Sequence, residues 1–164
     1  MNIKNYFLQL HGYNGWANQL ILKTAQDLTE EQFEKNTTHS HGSFRDTLYH
    51  NYGAEWFWRE RMQGGPSTAF IEKEEFSDLN TIKTYYSQEA NDMKVYIDSL
   101  AEDDFSKEFI YKNSKGDKHS QIISDILTHV VVHGMQHRSE LAIMLTGYGH
   151  SPGNIDFVVY TQEL

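Results

Sequence analysis

The chain is 164 residues long, 38% hydrophobic and 13% aromatic, enough for one packed domain over residues 1–164 and unlike the make-up of a disordered chain. Fourteen Lys and Arg against 23 Asp and Glu leave a formal net charge of −9, which argues against a general attraction to nucleic-acid phosphates or anionic lipid surfaces. With no run of about 18 apolar residues and no charged-then-apolar leader, the sequence predicts neither a membrane span nor secretion, and a cytoplasmic protein is the expectation.

Residues 3 to 28 carry Ile3, Phe7, Leu10, Ala17, Leu20, Ile21, Ala25 and Leu28 at helical intervals. This predicts one long helix despite Gly12 and Gly15, each of which costs about 1 kcal/mol of propensity. Residues 29 to 42 are polar and turn-rich. Ser43 reads as the N-cap of a second helix through Met62, with Asp46 three residues on, and the Gly64-Gly65-Pro66 cluster stops it. A third helix is expected from Ser77 to Leu100, where Leu79, Ile82, Tyr86, Ala90, Met93, Ile97 and Leu100 recur at threes and fours. Phe109-Ile110-Tyr111 followed by Asn113-Ser114-Lys115-Gly116-Asp117 suggests a small β-hairpin. Ser120 is expected to cap a fourth helix running to Thr146 and closed by Gly147, ahead of Ser151-Pro152-Gly153 and an apolar tail from Ile155 to Tyr160. Four helical segments with little strand signal predict an all-α protein, a four-helix bundle with a long crossover connection.

The sequence holds no cysteine and nine histidines, so any transition metal must be held by nitrogen and oxygen. His129, His133 and His137 recur every four residues; at about 100° per residue, His129 lies about −40° and His137 about +40° from His133, one slanting stripe. Ile122, Ile126 and Met144 fall within about 20° of His133, which predicts that the stripe faces the core. Imidazoles on an apolar face need partners for their ring nitrogens, and a divalent cation satisfies two or three at once. Helix positions four apart have Cβ atoms about 6 Å apart, so His129 with His133, or His133 with His137, could share an ion about 2.1 Å from each nitrogen. His133 is followed by Gly134 and not by the Glu of a zinc peptidase, which argues against peptidase chemistry. The second predicted helix offers His50 as a third ligand. An isolated internal histidine is more commonly held by a backbone carbonyl or a tyrosine hydroxyl, but His133 and His137 together tip the reading toward a metal. Asp46, one turn before His50, is the candidate acceptor for its other nitrogen, or alternatively a helix N-terminal charge.

The run Ser43-Phe44-Arg45-Asp46-Thr47-Leu48-Tyr49-His50, the downstream segment from His129 through His133 to His137-Arg138, and then Gly149, Pro152, Asp156 and Tyr160 resemble the DinB family of helical-bundle proteins. Tyr13-Asn14-Gly15-Trp16-Ala17-Asn18 is similar to that family's first helix. The resemblance covers nearly the whole chain. It implies a four-helix bundle with a crossover, often dimeric, holding a divalent ion on one histidine of the second helix and two of the fourth; by position these are His50, His133 and His137. His129 would stand beside the ion. Where the family commonly shows His-Arg-Gly-Gln, this chain has His137-Arg138-Ser139-Glu140, so Glu140, on the His133 side of its helix, could add a carboxylate near the metal.

Three nitrogens leave a divalent ion at least one position for water or substrate. Relatives in the wider superfamily to which the resemblance points include thiol-dependent S-transferases and a maleylpyruvate isomerase. The leading expectation is therefore a metal-dependent transferase acting on a low-molecular-weight thiol and a small electrophile, with zinc or nickel as the ion ahead of iron or copper. Arg138 is a candidate for binding a cosubstrate carboxylate and Trp16 for lining the substrate mouth, although a solvated or salt-bridged Arg and a core or dimer-face Trp are the commoner roles. His11, His39, His41, His119 and His150 receive no role. The competing expectation is a noncatalytic bundle of the DNA-damage-inducible type, in which the ion stabilises the fold and a homodimer or partner face carries the function. Direct nucleic-acid binding is not expected.

Overall fold

The amphipathic segments fold as helices whose ends are set by identifiable caps, in a computed structural model that describes residues 1–65, 70–112, 115–162 and 164. The first, α1 (Ile3–Thr24), starts where the Asn2 side chain accepts from the Asn5 N–H, and it stops short of Leu28 because Ala25–Asp27 tighten into a 3-10 turn. The polar stretch that follows contains a further short helix, α2 (Glu30–Glu34), started by a reciprocal Thr29–Gln32 capping box. Ser43 caps α3 (Phe44–Met62) as expected, accepting from the Asp46 N–H at 3.0 Å. The next helix, α4 (Leu79–Ser99), is capped by Asp78, which accepts from the Asn80 and Thr81 N–H groups, so it begins two residues later than the apolar pattern suggests.

The hairpin is present: β1 (Glu108–Lys112) pairs antiparallel with β2 (Lys118–Ile122). Ser120 is drawn into that ladder opposite Ile110 and does not cap a helix; α5 (Ile123–Gly147) instead begins directly from β2 without a side-chain cap. The apolar tail ends in α6 (Phe157–Gln162). Pro66 of the expected stop and Asn113-Ser114 of the expected turn lie outside the described residues. No helix among the described residues is long and apolar enough to cross a membrane.

Neighbours in space differ from neighbours in sequence. The α1 helix lies against α4 and α5, and α3 lies against α5 and, less extensively, α4. Three apolar clusters of buried residues result, the smallest made of Tyr13, Ala17 and Val131. Of the two large ones, one gathers Ile21, Leu22, Phe44, Leu48, Tyr52, Ile82, Tyr86, Leu141 and Leu145; the other gathers Phe7, Met93, Ile97, Phe105, Leu127 and Val130. Each long helix also carries buried polar residues between these sets, among them Asn14 and Asn18 on α1, Glu55 on α3, Glu89 on α4 and Arg138 on α5. Arg138, 1% exposed, donates from Nη1 to Asn14 Oδ1 at 2.5 Å and Asn18 Oδ1 at 3.0 Å, while Asn18 Nδ2 donates to Glu55 Oε1 at 3.0 Å. Arg59 grips Glu89 through two parallel contacts of 2.8 Å. A buried charge is costly without such partners, and the contacts of this polar layer tie α1, α3, α4 and α5 together, while Arg138 Nε and Nη2 are buried with no hydrogen-bond partner among the described residues.

Gly134 sits against this layer. A methyl group there would lie 2.7 Å from both Arg138 Nη1 and Asn14 Oδ1, so Gly134→Ala should destabilise the protein by about 1–3 kcal/mol despite the better helix propensity of Ala, read by urea unfolding.

His11 is also buried, and because a carbonyl only accepts, its Nε2 donates to Leu127 O at 3.1 Å. It is a core histidine in the middle of α1. Burial lowers its pKa from 6.5 to about 4. Between those values the unfolded chain binds the extra proton, so stability tied to His11 is complete above pH 6.5 and is lost as pH falls through about 4. Metal-free His11→Gln should show a flatter stability profile than the metal-free parent over that interval, by denaturant titration at stepped pH.

Candidate metal centre

Packing of α3 on α5 brings His50 to the α5 histidines. Nε2 of His133 lies 3.2 Å from Nε2 of His50 and 3.2 Å from Nε2 of His137. His137 is buried, and its Nδ1 lies 2.9 Å from Glu140 Oε2. A carboxylate accepts, so His137 Nδ1 carries the proton and the Nε2 of the neutral ring is a bare lone pair. One Nε2 of His133 cannot hydrogen-bond both flanking nitrogens, since it has either one proton or one lone pair. The contacts have the spacing that a shared cation imposes: two nitrogens bound at about 2.1 Å, about 90–110° apart, are about 3.0–3.4 Å from one another. His133 Nδ1 is buried without a partner.

The loop before α3 supplies an imidazole to which the sequence assigned no role. His41, His50 and His137 each offer a ligand atom within 4.8 Å of the others, and this group could hold a metal ion. His41 stacks on His50 with ring centroids 3.7 Å apart and planes 15° from parallel. Gly42, at φ +86°, makes the turn that presents it, a conformation that favours glycine. The loop is tied to α5 as well: the Ser40 hydroxyl donates to Glu140 Oε1 at 2.9 Å and to Oε2 at 3.1 Å. One carboxylate thus orients His137 and anchors the segment carrying His41. Burial pushes the Glu140 carboxyl up, but the His137 and Ser40 hydrogen bonds outweigh it and leave its pKa lowered. Burial, then the neighbouring rings, hold His50 and His133 down at about 4 and lower His41, so these imidazoles are neutral donors near pH 7.

The expected inward stripe is only partly inward. The buried residues of α5 include Leu127, Val130, Val131, Gly134, Arg138, Leu141 and Leu145, and their mean direction lies about 90° round the helix from His133, on the His137 side. His137 is therefore buried, His133 half-buried and His129 exposed. His129 stands at the edge, its ring 5.6 Å from that of His133 and 5.7 Å from that of Trp58.

Asp46 does not bond His50. It takes Lys73 Nζ at 2.7 Å, with Arg45 Nε at 3.9 Å, because its position in the first turn of α3 faces the segment that packs over the helix. Arg138 is committed to the polar layer, which corrects both its expected solvated setting and its candidacy for a substrate carboxylate at the metal. Trp16 lies away from the histidines, against Tyr13 and Tyr160, beside a separate cavity between α1 and α4.

A cavity of about 600 Å³ opens beside the cluster. His41 and His50 form its polar end, Tyr49, Ala54, Phe57 and Phe70 its apolar wall, and the Asp46–Lys73 pair its charged edge. Gly53 keeps the wall close-packed, since a methyl group there would meet the Phe70 ring at 3.0 Å. The arrangement combines a possible metal centre with room for a small apolar molecule.

A helical protein with histidines from a loop and two helices drawn to one point is the class that fold and site define. The DinB family model matches residues 1–163. The chain is 25% identical over 163 residues to the protein DinB of Bacillus subtilis (strain 168), covering 96% of this chain and 95% of that one. The chain belongs to the DinB family.

Removing the carboxylate that orients His137 should cost metal affinity before it costs structure. Glu140→Ala should weaken zinc binding by about 10–100-fold, measured by competition with a chelating dye, with the helical circular-dichroism signal retained.

Proposed function

We propose that the protein binds one divalent transition-metal ion, zinc or nickel, on His50, His133 and His137, and uses it to transfer a low-molecular-weight thiol to a small electrophile. The observation that carries this reading is His133 Nε2 standing 3.2 Å from two other Nε2 atoms, an arrangement that hydrogen bonds alone leave unsatisfied. A bound divalent ion would supply Lewis acidity and stabilise a thiolate near neutral pH. The chain's own residues do the remaining work. Glu140 fixes the tautomer and direction of His137, and the wall of Tyr49, Ala54, Phe57 and Phe70 excludes water and receives the apolar body of the electrophile. In the transfer the thiol releases its proton to solvent, its sulfur bonds the electrophilic carbon, and the displaced electron pair departs with the leaving group. The absence of cysteine from the chain accords with a sulfur that arrives on the cosubstrate.

In this reading the four long helices form a bundle with a crossover, in the cytoplasm, as a homodimer. The apolar residues exposed on the outer face of α5, Val132 at 54%, Met135 at 51% and Ile143 at 62%, support a subunit contact. The same face supports a second reading, a noncatalytic bundle in which the ion stabilises the fold and a partner surface carries the role.

Elemental analysis of untagged protein should give about one ion per chain, and His133→Ala well under one; unchanged stoichiometry in the variant removes His133 from the ligand set. Chelation should abolish thiol consumption by a model electrophile while the helical signal persists. If chelation melts the protein and no thiol reacts with or without metal, the second reading stands.

A further inference from the structure

We infer that His41 is a displaceable fourth nitrogen ligand, a loop-borne imidazole that fills the open side of the ion proposed above and gives way to an incoming anion or thiolate. The inference rests on that metal reading.

His50 and His137 are approached by two further imidazoles. His133 comes from α5, with its Nε2 3.2 Å from each. His41 comes from the loop, with a ligand atom within 4.8 Å of theirs. Neither ring nitrogen of His41 has a hydrogen-bond partner among the described residues, so no other contact commits this ring's polar atoms. It is half-buried at the cavity end, beside the entry an approaching molecule would use.

Its present pose differs from that of a bound ligand. Imidazoles in adjacent positions around one ion splay, because their nitrogen–metal directions diverge by about 90–110°. His41 instead lies nearly parallel to His50, 15° between planes and 3.7 Å between centroids. It is parked against one ligand and edge-on to another, 4.9 Å from His137. A turn about its side-chain bonds converts the parked ring into a ligand. Parked, it leaves the position free for a cosubstrate; turned, it closes the site.

The backbone confines this motion to the side chain. Gly42 N–H donates to His39 O at 3.0 Å, Thr37 N–H donates to Gly42 O at 3.1 Å, and the Thr37 hydroxyl reinforces that contact. The Ser40 hydroxyl is held by Glu140, so the residues on both sides of His41 are anchored. Gly42 is necessary to this geometry: besides its positive φ, a methyl group there would lie 2.6 Å from Asn36 Oδ1.

Cobalt(II)-loaded protein tests the idea through the visible spectrum of the ion, with azide as the probe anion. His41→Gln should retain one cobalt per chain, show an altered ligand-field spectrum and bind azide at least tenfold more tightly than the parent. Gly42→Ala, which displaces the loop and keeps the imidazole, should move in the same direction. His129→Gln, at an exposed ring beyond the group, should match the parent. Equal azide affinity and identical spectra in the parent and His41→Gln, both loaded, overturn the inference. A parent that takes up no cobalt refutes the metal reading itself, and the inference with it, a result distinguishable from the first by stoichiometry.

Discussion

The contact that the site depends on is the meeting of α3 and α5, which sets the His50 and His137 Nε2 atoms on either side of His133 Nε2 at equal distances of 3.2 Å. Close approach of neutral ring nitrogens is tolerable only if protons or a cation occupy the space between lone pairs. Glu140 removes the freedom to solve this by tautomer exchange, because it claims the Nδ1 proton of His137. Glu140 thus acts on the charge state of the cluster and, through Ser40, on the loop that bears His41.

Holding two helices in that register is the task of the polar layer. Arg138 follows His137 directly and points the other way, toward Asn14 and Asn18 on α1. The same short stretch of α5 therefore joins the histidine cluster on one side and the buried guanidinium on the other. Asn18 passes the contact on to Glu55, five residues after His50 on α3. Burial pushes the Glu55 carboxyl up, against the Asn18 hydrogen bond and the nearby Arg138 charge, so that group depends on its neighbours for any ionised population. Sliding would break the Arg138–Asn14, Arg138–Asn18 and Asn18–Glu55 hydrogen bonds, which an apolar layer would not contain. The histidine geometry is the external face of this internal alignment.

Several features were legible before any coordinates. The N-cap at Ser43, the end of α3 at Met62 and the hairpin follow from local chemistry, because caps and turns depend on residues a few positions apart. The i, i+4 relation of His133 and His137 and the pairing with His50 were readable from helical periodicity and from the resemblance to DinB proteins. Less legible was the direction of the α5 stripe. Ile122, Ile126 and Met144 suggested a core face centred on the histidines, whereas the face that packs includes Gly134 and Arg138, two residue types that carry no apolar signal. His41 was missed for a different reason: it lies in a polar loop, where spacing says nothing about direction. The tight turn written into His39-Ser40-His41-Gly42, just ahead of a capping serine, was the available sign.

Composition and short-range pattern alone determined that this chain is helical, free of thiolate ligands and rich in imidazoles placed one helical turn apart, since each property is fixed by residue identity or within a few residues of backbone. Which imidazoles meet, which one is left at the rim and which arginine disappears into the interior were decided only when four long helices settled against one another. The reason is steric and electrostatic: a buried charge accepts few positions, and a ring nitrogen's partner can come from 83 residues away, as His133 shows with His50.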